Sequence, residues 1–208
     1  MAKNKNSQKK KKIKSLNQFI GFVIILTVVF FSVFFIEKYF SNKATNDDKY
    51  NNFQFYYDEN KEFWFTKIQI ESIPYSIPFY HHPIELDNIV VEESVEDIIL
   101  ENKPSEIIIS VPGDSDSELA LAGIEVSKIT GERFRVLNIP TSSATNEHVE
   151  GLPFTTCADS HQDMIVVSFE RSDKNLVRSD GFCIILEFKE NEAVRVADAF
   201  SYSLLKIM

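Results

Sequence analysis

Cysteine is nearly absent from this chain: Cys157 and Cys183 are the only two among 208 residues. Neither lies just after the N-terminal apolar run, where a lipobox cysteine would stand. Glycine is also scarce, at six residues. No Walker A loop, no G-x-G-x-x-G turn and no G-x-S-x-G elbow occurs, which excludes the usual phosphate cradles and the serine nucleophile elbow. The four histidines, His81, His82, His148 and His161, lack metal-ligand spacing. Positive charge is confined as well. Of 22 Lys and Arg, seven lysines crowd residues 3–14, and all 31 acids lie beyond them. Such a surface repels phosphates, so nucleic acid is not an expected partner. No internal repeat or low-complexity run appears after the lysines.

What is present begins with a membrane signature. Residues 19–36, FIGFVIILTVVFFSVFFI, carry no charge. As a helix they would span ~27 Å, enough for a hydrocarbon core of about 30 Å. Tyr39 and Phe40 come next, where aromatic rings favour the headgroups. The seven lysines place residues 1–18 in the cytoplasm as a basic tail, and the rest of the chain outside the cell membrane. A cleaved signal peptide would have a shorter apolar core and a small-x-small site, whereas this run ends in bulky residues. The expectation is a single-pass anchor held in membrane lipid through residues 19–36. Residues 37–52 read as a polar stalk, and 53–208 as one exterior domain long enough to bury a core.

The pattern in that domain predicts an α/β fold with a mixed sheet, in two or three layers, with α+β as the alternative. EFWFTKIQI and YSIPFYHHPIELDNIVV are aromatic and β-branched, and Pro74, Pro78 and Pro83 restrict them to edges or bulges. SVEDIILEN predicts one or two helical turns. EIIISV reads as a strand buried on both faces. Leu119, Ala122, Val126 and Ile129 then recur at helical spacing, with Gly131 at the expected C′ position. FRVLNI reads as the next strand, parallel to EIIISV through a right-handed crossover. MIVVSF, NLV and FCIILEF are joined by short turns and predict antiparallel neighbours. A helix from about Asn191 carries an apolar stripe of Ala193, Ala197, Phe200, Leu204 and Ile207.

Candidate chemistry is sparse. In PGDSDSE, Ser115 and Glu118 match a capping box at a helix start. The same loop offers Asp114 and Asp116, which would bind a hard cation if another loop supplied a third oxygen. Two thiols in an outward-facing domain point to a disulfide, Cys157–Cys183, whose closed loop would contribute about 3 kcal/mol. The sharper reading makes Cys157 a nucleophile with His161 or His148 as base and Asp159 as orienter. A zinc site assembled from the histidines, His148 and His161 among them, plus Asp159 is a further candidate. His81 and His82 would point to opposite faces of a strand, and Trp64 reads as a packing residue.

The order of YSIPFYHHPIELDNI, EIIISVPGDSDSELALAGIEVSKITG, TTCADS, GFCIILE and VADAFSYSLLKIM resembles an uncharacterised family of small archaeal membrane proteins. The resemblance implies one N-terminal span, an exterior α/β domain and a recurring structural pair of cysteines; it implies no catalytic residues. The expected function is a cell-surface interaction or assembly module without catalysis or cofactor, with a protein partner in the membrane or envelope. The alternatives are a surface hydrolase or metal-dependent enzyme using Asp114, Asp116, Cys157, Asp159 or His161, and a type IV pilin-like subunit.

Overall fold

The computed structural model describes residues 27, 28, 30–32, 49–70 and 72–208. The chain divides into two units, residues 1–48 and 49–208. Residues 27, 28 and 30–32 of the first unit are helical. The rest of the expected span over 19–36, the basic tail and the stalk to residue 48 lie outside the described residues. Among the described residues no helix is long and apolar enough to cross a membrane.

The second unit is a mixed α/β domain with two sheets. Its first sheet is an antiparallel meander of β1 (Lys49–Tyr50), β2 (Phe53–Asp58), β3 (Phe63–Ile70) and β4 (Ile73–Phe79). Lys49 and Tyr50, polar by composition and read as stalk, thus begin the domain. Pro74 and Pro78 fall on β4, an edge strand, where the missing N–H groups break no internal ladder. Alternation then sorts the faces: Phe55, Ile77 and Phe79 are buried, while Tyr56 stacks on Phe65 on the other face.

A 3-10 turn at Pro83–Leu86, β5 (Val90–Val91) and α1 (Glu93–Leu100) lead into the second sheet. Its remaining elements are β6 (Glu106–Val111), α2 (Ser117–Thr130), β7 (Thr141–Thr145), β8 (Met164–Arg171), β9 (Leu176–Asp180), β10 (Cys183–Phe188) and α3 (Ala193–Leu204). The strand order is β5-β9-β10-β8-β6-β7. β10, β8, β6 and β7 run parallel, and β9 is antiparallel to β10.

The strand pairing corrects two sequence expectations. The crossover from β6 through α2 does end in a parallel neighbour, but that strand is TSSAT and not FRVLNI. Arg135 and Asn138 take positive φ values of 54° and 55°, which interrupt any extended run. Phe134, Val136, Leu137 and Ile139 pack on the core from a loop instead. Likewise β8 and β9 are not neighbours. β10 inserts between them, antiparallel to β9 and parallel to β8. Gly181, at φ 60°, supplies the left-handed residue of the two-residue β9–β10 turn.

Helices α2 and α3 lie between the two sheets. α2 packs on β6 and α3 on β10, while Tyr202 of α3 meets Phe79 with ring centroids 4.1 Å apart and Phe55 at 5.8 Å. This placement buries α3 beyond its apolar stripe: every residue from Val196 to Leu204 is buried, Asp198, Ser201 and Ser203 included. A helix clad on one face would have kept a polar side in water. The second sheet's outer face carries Val166, Cys183 and Ile185, against which Cys157 packs.

Candidate functional site

The loop after β6 is the first place the sequence indicates. Ser115 N–H closes a turn onto Pro112 O, so the helix begins one residue later than the capping-box spacing predicts. Asp116 is the N-cap: its Oδ1 accepts from Glu118 N at 3.0 Å and Leu119 N at 3.1 Å. The Ser115–Glu118 box is therefore corrected. Glu118 serves another helix, its Oε1 accepting the N–H of Ala193 at the start of α3, at 2.8 Å. Asp114 is 74% exposed and faces Arg171 at 3.4 Å. At the far end of α2, Gly131 does not take the left-handed C′ conformation. A side chain there would place its Cβ 2.7 Å from Ser127 O, so close approach is what demands glycine.

The remaining candidates are held by structural tasks. Cys157 and Cys183 form a disulfide with Cα atoms 5.2 Å apart, so Cys157 is not a free thiolate. It pins the 3-10 turn Cys157–Asp159 to the first residue of β10. Asp159 Oδ2 accepts from Thr156 N at 2.8 Å and Thr156 Oγ1 at 3.0 Å. Those two bonds hold its carboxyl below the ordinary range. His161 is exposed and exchanges backbone bonds with Met164, and His148 stacks on Phe154 at 3.8 Å. Among the described residues no three His, Cys, Asp or Glu side chains gather to hold a metal. His81 and His82 come after β4 in a bend instead of lying on a strand: His81 binds Asp198, and His82 caps the next 3-10 turn. Trp64 packs on the core and meets His82.

Two features went unseen in the sequence. The first is an open edge. β7 is the last strand of its sheet. Along it, Asn146 N–H bonds Val111 O, whereas Thr145 N–H bonds Pro153 O on the opposite side. By the alternation of a strand, the N–H and C=O groups of Thr141 and Ser143 share the outward direction of Thr145. The segment Pro153–Thr155 covers Thr145, but no described strand lies against Thr141 or Ser143 on the side away from β6. Beside this edge runs a cleft of about 510 Å³ between α2 and the sheet. Ile109, Val111, Leu119 and Ile124 give it an apolar wall, and Ala120 and Gly123 are too small to fill it. Ile124 is 48% exposed at its rim.

The second is a buried polar cluster. Lys128 Nζ donates to Glu125 Oε2 and to Pro78 O, and sits 4.1 Å from the Phe79 ring centre. Asp198 Oδ2 accepts from His81 N and Nδ1. The helical pattern did contain a sign of this: Glu125 and Lys128 fall on the same face as Ala122, Val126 and Ile129.

No protein-family model, no curated protein and no solved structure matches this chain.

Proposed function

We propose that this chain is a membrane-anchored interaction or assembly module displayed outside the cell, and that it engages a protein partner by strand addition to β7. The observation that carries the reading is the pair of outward-facing backbone groups at Thr141 and Ser143, set beside an apolar cleft. Unpaired strand edges are templates for another chain, and proteins usually blunt them with charge, proline or a covering element. TSSAT has no charge and no proline. An added strand would gain main-chain hydrogen bonds along β7 and place alternate side chains over the cleft, the mode of β-augmentation. The segment at Pro153–Thr155 limits the addition to the first part of β7.

The anchor at residues 19–36, the outward orientation and the affinity with small archaeal membrane proteins belong to this proposal and rest on the sequence patterns. A surface hydrolase or metal enzyme draws no support from the site: Cys157 is bridged, and Asp116 and Asp159 are engaged in caps.

The test exploits the alternation. The Ser143 N–H points away from β6, so Ser143→Pro blocks the edge while sparing the internal ladder. A photo-crosslinker at Ile124 in the full chain, expressed in membranes, should label one segment of a single partner, and Ser143→Pro should abolish that product. Absence of a product, or one indifferent to the proline, would overturn the reading.

A further inference from the structure

Glu125 and Lys128 come from α2, Asp198 and Tyr202 from α3, and Tyr80 and His81 from the bend after β4. They converge in the layer between the sheets. Asp198 is fully buried, and Glu125 and Lys128 are nearly so. Asp198 Oδ2 takes the His81 N–H at 3.0 Å and the His81 Nδ1–H at 2.9 Å. Its Oδ1 is buried and has no hydrogen-bond partner among the described residues. The carboxyl of Glu125, on the neighbouring turn of α2, lies close enough to Asp198 for the two to interact. One ammonium, Lys128, therefore serves two carboxyl groups shielded from water. Two facing carboxylates there cannot both ionise cheaply. A proton on Glu125 neutralises one of them, offers Asp198 a donor, and leaves Lys128 and Asp198 balanced.

We propose that Glu125 and Asp198 share one proton, and that this proton fastens the end of β4 to α2 and α3 as a pH-dependent clamp between the first sheet and the helices. The clamp joins Pro78 O through Lys128 and the His81 backbone through Asp198, two polar attachments at the end of β4 beside the Tyr202 contacts.

The electrostatics set its range. Burial first, and then the neighbouring Asp198, push Glu125 up to about 8 against the opposing pull of Lys128. Burial and the charges of Asp198, Glu125 and Glu85 raise the Tyr202 hydroxyl, which stays protonated and donates to His81 O at 2.8 Å. Burial and the same two carboxyls, Glu125 ahead of Asp198, raise Tyr80. Because the closed form holds a proton that the open form releases, closure is complete below the ordinary value of 4.5. It weakens by about tenfold per pH unit as pH rises, and levels off above about 8.

The amide of His81 reports the clamp directly. In the full chain, its hydrogen-exchange protection factor should fall across pH 5 to 8 and flatten beyond, and Glu125→Gln should remove the slope. The Glu125 carboxyl carbon, tracked by NMR in the unmutated chain, should titrate near 8; this readout decides the matter even if the variant fails to fold. A midpoint near 4.5, a His81 protection factor independent of pH, or an unchanged slope in Glu125→Gln would overturn the clamp.

Discussion

His81 gives both its backbone N–H and its ring Nδ1–H to one oxygen of Asp198, across 117 residues of sequence. This contact orients the chain as it leaves β4, and it places a carboxylate in the buried part of α3. Removing the acceptor strands the His81 N–H and disturbs Glu125 and Lys128 together. Asp198→Ala should therefore destabilise the domain by about 3 kcal/mol in urea unfolding. His81→Ala should cost about 1 kcal/mol, since that ring is a quarter exposed. Equal losses for the two would contradict the hierarchy.

The start of α2 separates two neighbouring residues. Asp116 accepts from two helix amides, and Ser115 accepts from none of them. Asp116→Ala should lower stability by about 1 kcal/mol, while Ser115→Ala should change it by less than about 0.5 kcal/mol. Reversal of that order would restore the capping register that spacing alone predicts.

The disulfide closes 26 residues and anchors the loop over the outer face of the second sheet. Reduction, or the pair Cys157→Ser and Cys183→Ser, should cost about 3 kcal/mol. Unfolding curves with and without reductant should differ by that amount for the native chain and coincide for the double variant.

Acid sensitivity has a separate source from the clamp. Arg178 donates to Glu187 at 2.6 Å, and with Lys174 it holds that carboxyl below its ordinary 4.5. A depressed acid favours the folded state above its unfolded value, and the contribution is lost as pH falls through the depressed value. Thermal midpoints should fall on acidification below about pH 4.5 and do so less steeply in Glu187→Gln. An unchanged acid slope in that variant would exclude the pair as a cause.

Several elements were legible because their physics is local. Three consecutive isoleucines marked β6, the recurrence Leu119–Ala122–Val126–Ile129 marked α2, and the only two thiols could pair in one way. The misreadings have a common origin in long-range structure. FRVLNI has the apolar content of a strand, but two left-handed residues and a place over the core make it a loop. TSSAT has little strand character, yet β6 supplies a ladder for it. The insertion of β10 between β8 and β9 depends on pairing across the sheet, which short turns do not encode. Asp198 drew no expectation from the sequence, because nothing there revealed that the first sheet also covers α3. The open edge was hidden for a similar reason: a strand is an edge only once all its neighbours are placed.

The most direct measurement is amide exchange along β7 in the full chain, alone and in the complex captured through Ile124. Strand addition requires an alternating signature. Thr141 and Ser143 should slow markedly on binding, while Ser142 and Ala144, already bonded to β6, stay unchanged. A complex in which Thr141 and Ser143 exchange as they do in the free chain would contradict the assignment of β7 as the docking edge.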